Sequence, residues 1–420
     1  MRWQTLMLAL AVAIAASSIG PHAQTPAPAI GPQPAVPGWD EFVENLRTLP
    51  DHMLTKLPAD ERNDPQVRQE IGRLALEALA SSTLDAIEGD GDHPVFVAQV
   101  NQTLNVGQPN ADTIYRMADI TPGGTYRLRG RRGTLRIVKI GEVTPQVGAI
   151  RLYHDVNALH VDSEGRYDVI LSPARPAGYT GDWWPLSPTT AKLLLRTVSS
   201  DWEREQDPTF SIERLDHPVM RPRPPAADLE QRLRRLPGTT AFIAQMFVDH
   251  VESLRRQGYV NKLKVFDVSQ MGGLVGQSYY EGAYDLHDDE ALIVETRAPA
   301  KCLYRSLILT NEIYETTDWT NNESSLNDSQ APVDRDGILR IVVSARDPGV
   351  QNWLDTAGYP QGVIQGRWTN CDSQPVPTVR KVAFADLRKE LPSDTPTVSP
   401  VDREKIIRER RAAFQQRPQW

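Results

Sequence analysis

The stretch from Gly337 to Arg367 occurs twice, and that duplication constrains the fold more than any other feature of the chain. Gly337, Ser344 and Pro348 match Gly165, Ser172 and Pro176, each pair 172 positions apart. A polar residue plus Trp follows each proline (Asp182-Trp183 and Asn352-Trp353), and an arginine follows each Trp after 13 or 14 residues (Arg196 and Arg367). Two copies of one β unit are therefore expected, with Ser172 equivalent to Ser344 and Trp183 to Trp353. The repeated Trp and Arg are read as parts of the fold, a plug and a stacked guanidinium closing each unit. A duplication gives architecture; it does not give a reaction.

A chain of 420 residues exceeds one ordinary core, so two domains are the default. A net charge of −8 argues against nucleic acid as a main partner. The local basic run Arg127, Arg129, Arg131, Arg132 reads as a solvated edge strand and turn. Near the N-terminus, Arg2 and the apolar run Leu6–Ala16 have the form of a signal peptide, followed by small residues up to Ala23. No later stretch approaches 18 apolar residues, so no membrane-spanning segment is expected. The reading is a periplasmic or secreted protein. Export permits a disulfide between Cys302 and Cys371, and two buried free thiols is the competing reading.

The expected organisation is α+β: two tandem antiparallel jelly-roll-like β-sandwiches with helices before, between and after them. Residues 1–23 form the signal peptide and 24–38 a disordered Pro/Ala-rich linker. Residues 39–94 are helical, with Pro50 interrupting. Short strands separated by glycine turns fill a first sandwich, 95–200. Within it, Thr189–Glu205 reads as a helix from the spacing of Leu193, Leu194 and Val198. A helical connection, 201–261, is broken at Pro237-Gly238. The second sandwich spans 262–388. A tail, 389–420, ends in an Arg-rich helix, Asp402–Phe414, read as a surface piece.

The segment Asn110-Ala-Asp112-Thr-Ile-Tyr115 resembles a motif of the bacterial family called domain of unknown function 1254. The tract from Tyr304 through Asp336-Gly337, Asn352-Trp353-Leu354 and Arg367-Trp368 resembles its partner family, domain of unknown function 1214. Together the likeness covers most of the chain after Trp39. It implies exported proteins of two jelly-roll-like sandwiches, and it implies no particular reaction.

Serine-hydrolase, zincin, P-loop and dinucleotide-binding signatures are missing. His154, Asp155, His160 and Asp162 could sit on a metal-binding hairpin. No third histidine lies near, and a polar hairpin is the preferred reading, so neither metal nor cofactor is expected. Asn110–Arg116 is the densest polar stretch of the first unit. Asn110 and Asp112 suit a turn that begins a strand. If the protein is an enzyme, Asp112 is the candidate general base, Tyr115 the acid and Arg116 the anchor for substrate charge. Asn110 would help bind. In the second unit, the loop around Trp319, Asn322 and Glu323 offers stacking and hydrogen bonds of the kind a sugar or polar ring needs. The second repeat, aligned near Glu281–Tyr284, does not repeat the Asn-x-Asp-x-x-Tyr pattern.

The first functional expectation is an exported enzyme acting on a small oxygenated organic molecule by acid/base hydrolase or lyase chemistry. The alternative is a non-catalytic periplasmic binder of a carbohydrate or similar small ligand. The sequence leaves homo-oligomerisation open. The signal-peptide reading predicts a mature chain beginning within a few residues of Gln24. Mass spectrometry of the soluble protein from its host tests this, and an intact Met1 start would refute it.

Overall fold

The computed structural model describes residues 35–143, 152–267 and 273–420. The expected signal peptide and most of the linker lie outside the described residues, as do parts of the expected strands at 149–154 and 262–268. The chain divides after Pro37, and Gly38–Trp420 forms one compact unit.

Three helices come first: α1 (Trp39–Leu54), α2 (Ala59–Asn63) and α3 (Pro65–Glu88). Asp64 caps α3 by accepting a hydrogen bond from the Gln66 amide at 2.7 Å, and Pro65 occupies the first turn, where no amide hydrogen is needed. Val67, Ile71, Leu74 and Ala78 are buried at helical spacing on one face. They pack with Leu49 and Met53 of α1 and Ala244 of the later helix α4 (Ala226–Gln245). Two expected breaks are corrected. α1 continues through Pro50, and α4 continues through Pro237, which is itself buried in this bundle. Tertiary burial holds both helices past the one backbone bond each proline removes.

The first sandwich contains β1 (Val97–Val100), β2 (Thr113–Asp119), β3 (Tyr126–Arg131), β4 (Ile137–Val143), β5 (Tyr153–Asp155), β6 (Arg166–Ser172), β7 (Asp182–Pro185), β8 (Lys192–Val198) and β9 (Ser211–Arg214). After α4 and α5 (His250–Arg256) comes the second: β10 (Lys264–Phe266), β11 (Gln277–Asp285), β12 (Glu290–Arg297), β13 (Cys302–Leu309), β14 (Ser325–Asn327), β15 (Ile338–Ser344), β16 (Trp353–Asp355), β17 (Gln361–Cys371) and β18 (Thr378–Ala383). The short α6 (Leu387–Glu390) and α7 (Pro400–Gln416) end the chain.

The two sandwiches share one topology. The first pairs a five-stranded sheet, β1-β2-β8-β4-β5, with a four-stranded one, β7-β6-β3-β9. The second has β10-β11-β17-β13-β14 and β16-β15-β12-β18, which is the same order nine strands later among the described residues. Pairing is antiparallel except β6–β7 and β15–β16, the same step in each copy. The duplicated markers coincide. Trp183 Nε1 donates to Ser172 Oγ at 3.0 Å, and Trp353 Nε1 donates to Ser344 Oγ at 3.0 Å. Each serine then donates to a carbonyl two residues on, Ala174 or Arg346, at 2.8 Å. The buried serine satisfies the indole N–H, so the repeated Trp is a plug with its polar atom paired.

Inward-facing residues fill each sandwich: Leu128, Ile140, Val169, Leu193 and Leu195 in the first, Leu292, Leu309, Ile341, Ile364 and Trp368 in the second. Here a third expectation fails, since Leu193–Val198 is the central strand β8, not a helix. It is buried on both faces, so alternation is lost, and a short apolar run reads ambiguously. The first sandwich also extends past residue 200, because β9 pairs with β3. Cys302 and Cys371 face each other across β13 and β17 and are disulfide-bonded. Among the described residues no helix is long and apolar enough to cross a membrane.

α3 docks on the loop after β13 through carboxyl groups. Arg73 bonds Glu315 at 2.7 Å and Glu77 at 3.5 Å, while Asn311 Nδ2 donates to Glu315 at 2.7 Å. Glu77 meets Glu315 and Glu312 meets Glu70, contacts that hold only while a proton is shared. Burial, then the neighbouring carboxylate, pushes Glu77 up to about 8; burial and Glu70 do the same to Glu312. Both groups hold their proton more tightly folded than unfolded. Their contribution is therefore full below the ordinary carboxyl value near 4.5 and is lost as pH rises through about 8. The melting temperature should fall between about pH 5 and pH 9, and Glu77→Gln with Glu312→Gln should flatten that fall and melt higher than the parent at pH 9. Scanning calorimetry across pH tests this; an unchanged slope in the double variant would remove the shared-proton account.

Candidate functional site

The outer faces of the two five-stranded sheets meet in a seam. Ile137 and Val198 from the first sheet pack with Tyr304 and Leu274 of the second unit. Two arginines occupy equivalent positions there. Arg196 stands opposite Tyr115 in the β2–β8 pair, and Arg367 stands opposite Tyr279 in the β11–β17 pair. The Arg196 guanidinium lies 5.8 Å from the Tyr115 ring and 5.6 Å from that of Tyr153, and the Arg367 guanidinium lies 5.4 Å from the Tyr279 ring. Gly141 admits the Tyr153 ring, since a Cβ at that position would lie 2.6 Å from it. The register corrects the sequence alignment: Tyr279, not a residue of 281–284, is the counterpart of Tyr115, and Gly276 is the counterpart of Asp112. Tyr115, Tyr153, Arg196 and Tyr279 are only half-buried, so solvent reaches this seam.

A continuous hydrogen-bonded chain runs across the second sheet's outer face. Arg367 Nη2 donates to Gln365 Oε1 at 2.7 Å and to Gln108 Oε1 at 3.4 Å. Gln365 Nε2 donates to the Tyr314 hydroxyl at 2.7 Å. That hydroxyl lies 3.3 Å from Glu281, whose two oxygens each lie 3.1 Å from His250 Nε2. Glu281 is fully buried, and burial followed by the Glu281 charge pushes the Tyr314 hydroxyl well above its ordinary value. Two buried donors in this chain of bonds find no partner among the described residues: Arg367 Nη1 and Gln108 Nε2. Gln108 and Tyr314 are also held at φ of 58° and 69°. Left-handed backbone at a bulky side chain costs on the order of 1–3 kcal/mol and persists only where the surroundings impose it. For Tyr314 they do: Asn311 Oδ1 accepts from the Ile313 and Glu315 amides at 3.2 and 2.9 Å and shapes the loop.

The residues singled out from the sequence fall into three places. Asn110, Asp112 and Tyr115 lie at the seam. Asn110 Nδ2 donates to the Tyr304 hydroxyl at 2.8 Å, and the Asn110 amide donates to the Tyr115 hydroxyl at 3.3 Å. Asp112 is 1% exposed and accepts three hydrogen bonds: from Trp202 Nε1 (2.9 Å), Asn327 Nδ2 (2.8 Å) and the Tyr304 hydroxyl (2.7 Å). Burial raises its pKa against the pull of those bonds. A carboxylate so placed joins the two sandwiches and has little capacity left for a substrate proton. Trp319 and Glu323 lie beneath α7, where burial pushes the Glu323 carboxyl up to about 7 against its partner Arg403. Arg116 and Asn322 go elsewhere. Arg116 donates to the backbone oxygens of Pro418 (2.6 Å) and Trp420 (2.7 Å), and Asn322 donates to the Asp318 carbonyl at 3.1 Å.

α7 is the largest correction. Its Arg403, Arg410 and Phe414 are buried, with Arg417 just beyond. Arg410 donates to the Trp319 carbonyl at 2.6 Å and lies 4.4 Å from the Trp202 ring, between Asp112 and Glu323. Arg417 donates to Asp207 at 2.9 and 3.0 Å and to the Asp112 carbonyl at 2.9 Å. A spacing of seven, four and three residues puts these side chains on one face, a pattern visible in the sequence but masked by its charge.

The proposed metal hairpin does not converge. His154 meets Glu142 at 2.9 Å and stacks on Trp184, whereas His160 is exposed and meets Asp182 at 2.7 Å. Asp155 pairs with Lys139 and Asp162 with Arg166. Among the described residues no group of three or more His, Cys, Asp or Glu is placed to hold a metal ion.

The structure is similar to the crystal structure of an uncharacterised protein from Burkholderia cenocepacia, with 27% sequence identity and a TM-score of 0.76 over 83% of this chain and 97% of that one. A crystal structure of a Vibrio parahaemolyticus protein aligns at 12% identity and a TM-score of 0.44, over 74% and 99% of the two chains. No family model and no curated protein matches the chain.

Asp112→Ala strands three buried donors, and a loss of about 3–5 kcal/mol of stability is expected. Asp112→Asn keeps one accepting oxygen for Trp202 and Asn327, and the Tyr304 hydroxyl can turn to accept from the new amide, so a loss below about 1.5 kcal/mol is expected. Denaturant unfolding of both variants checks the ranking; equal stability of Asp112→Ala and parent would refute the tie.

Proposed function

We propose that this is an exported protein that binds a small oxygenated organic molecule in the seam between its two five-stranded sheets. One observation carries the reading. Among the described residues Arg367 Nη1 and Gln108 Nε2 are buried donors without acceptors, in a network held partly by strained backbone. Buried donors are normally satisfied, and strain collects where binding or chemistry needs it. The aromatic faces of Tyr115, Tyr153 and Tyr279 beside them suit an organic body. Export rests on the apolar N-terminal run, and the Cys302–Cys371 disulfide supports an oxidising compartment. The motif likeness to the paired families of unknown function 1254 and 1214, with their jelly-roll-like sandwiches, agrees with it.

A second reading keeps the enzyme. The His250–Glu281–Tyr314 chain is a ready proton relay, and an acid/base hydrolase or lyase would use it in preference to the saturated Asp112. One experiment separates the two. The native protein is mixed with small-molecule fractions of host extract and followed by hydrogen exchange and by product analysis. Binding slows exchange at residues 277–281 and 363–369 with no new product. Turnover that falls at least about 100-fold in Glu281→Gln, with that protection retained, identifies the enzyme. Protection confined to other segments would overturn the seam as the site.

A further inference from the structure

We infer that the ligand carries a carboxylate, and that Arg367 and Gln108 hold it side by side. This rests on the seam reading and adds the chemical class. Arg367 is 4% exposed, yet it forms no ion pair among the described residues. Two of the other three deeply buried arginines are paired directly with carboxylates, and the third, Arg410, bonds neutral groups but lies within the field of Glu323 and Asp112. Arg403 meets Glu323 and Asp347, and Arg417 meets Asp207 through two nitrogens. The network's own carboxylate, Glu281, reaches His250 and Tyr314 instead. What answers the Arg367 charge is the Tyr279 face and the amide oxygens of Gln365 and Gln108. A desolvated cation with only neutral partners is incomplete, and an anion supplied from outside completes it.

The geometry narrows the anion. Gln108 gives its oxygen to Arg367 Nη2, which leaves the neighbouring Nε2 and Nη1 as the open donors. One open donor on each of two hydrogen-bonded planar groups matches the two oxygens of one planar carboxylate. A tetrahedral phosphate presents more oxygens and more charge than this pair satisfies. The strained φ of 58° at Gln108, preceded by Gly107 at 68°, is what brings the amide to the guanidinium. The surrounding tyrosine rings and Leu274 favour an organic carboxylate over an inorganic anion.

The test uses the full chain and three probes: benzoate, its neutral isostere benzamide, and inorganic phosphate. Binding is followed by calorimetry and by hydrogen exchange at residues 365–369. Benzoate is expected to bind at least about ten-fold tighter than either other probe and to slow exchange there. Gln108→Glu places a carboxylate beside the Arg367 guanidinium, where Oε1 already meets Nη2, so the variant should melt higher than the parent and lose benzoate binding at least about ten-fold. Arg367→Lys keeps the charge but loses the fork, and should also lose benzoate. If benzamide protects the same amides equally well, the seam binds ligands but the carboxylate assignment fails. If no probe protects them, both the class and the seam reading fail. Phosphate binding as tight as benzoate, unaltered benzoate affinity in Gln108→Glu, or a lower melting temperature for that variant would each overturn the proposal.

Discussion

One buried carboxylate carries the relation between the two sandwiches. Asp112 belongs to the first unit, as does its donor Trp202, while its donors Tyr304 and Asn327 belong to the second. Removing a charge from water is costly, and three hydrogen bonds with two nearby arginines offset the cost only in one geometry. Apolar contact between sheets tolerates sliding; a saturated carboxylate does not. The seam is set at a fixed register, which is what a site assembled from both units requires.

α7 extends the same device. Its buried arginines reach Glu323 in the second unit, the Trp319 carbonyl beneath the seam and Asp207 in the first unit. The Arg403 and Arg410 guanidiniums contribute planar donors and a face that stacks on an indole, so a single helix supplies polar ties and packing together. The most charged segment of the chain is therefore among its structural clamps.

Architecture was legible because duplication leaves paired signals. Gly, Ser, Pro and Trp in constant order mark equivalent strands whatever their neighbours do. Local pattern failed where tertiary burial overrode it: β8 is apolar on both faces, and α1 and α4 pass through proline. The site was harder. Asp112 was visible as a polar residue at a strand start, but the sequence could not show its three donors, since they lie about 90 to 215 positions away. Gln108 and Gln365 carry no charge and no motif. Glu281 and Gln365 do leave one trace, a polar residue inside a strand whose neighbours are buried on either side.

The pseudo-symmetry of the seam gives its two arginines equivalent places but different neighbours. Each copy supplies an arginine on the strand equivalent to β8 and a tyrosine opposite it, so the arrangement descends from one shared cross-strand pair. The surroundings then differ. Beside Arg367 stand Gln365 and the strained residues Gln108 and Tyr314, with Glu281 and His250 behind them. Beside Arg196, the equivalent neighbours on its strand are Leu194 and Val198, both buried and apolar. Apolar flanks pack beside one arginine, whereas polar flanks hold the other in a hydrogen-bonded network. Duplication thus supplied two equivalent arginines at one seam, and divergence of the residues two positions away on each strand is enough to give them different surroundings, one apolar and one hydrogen-bonded.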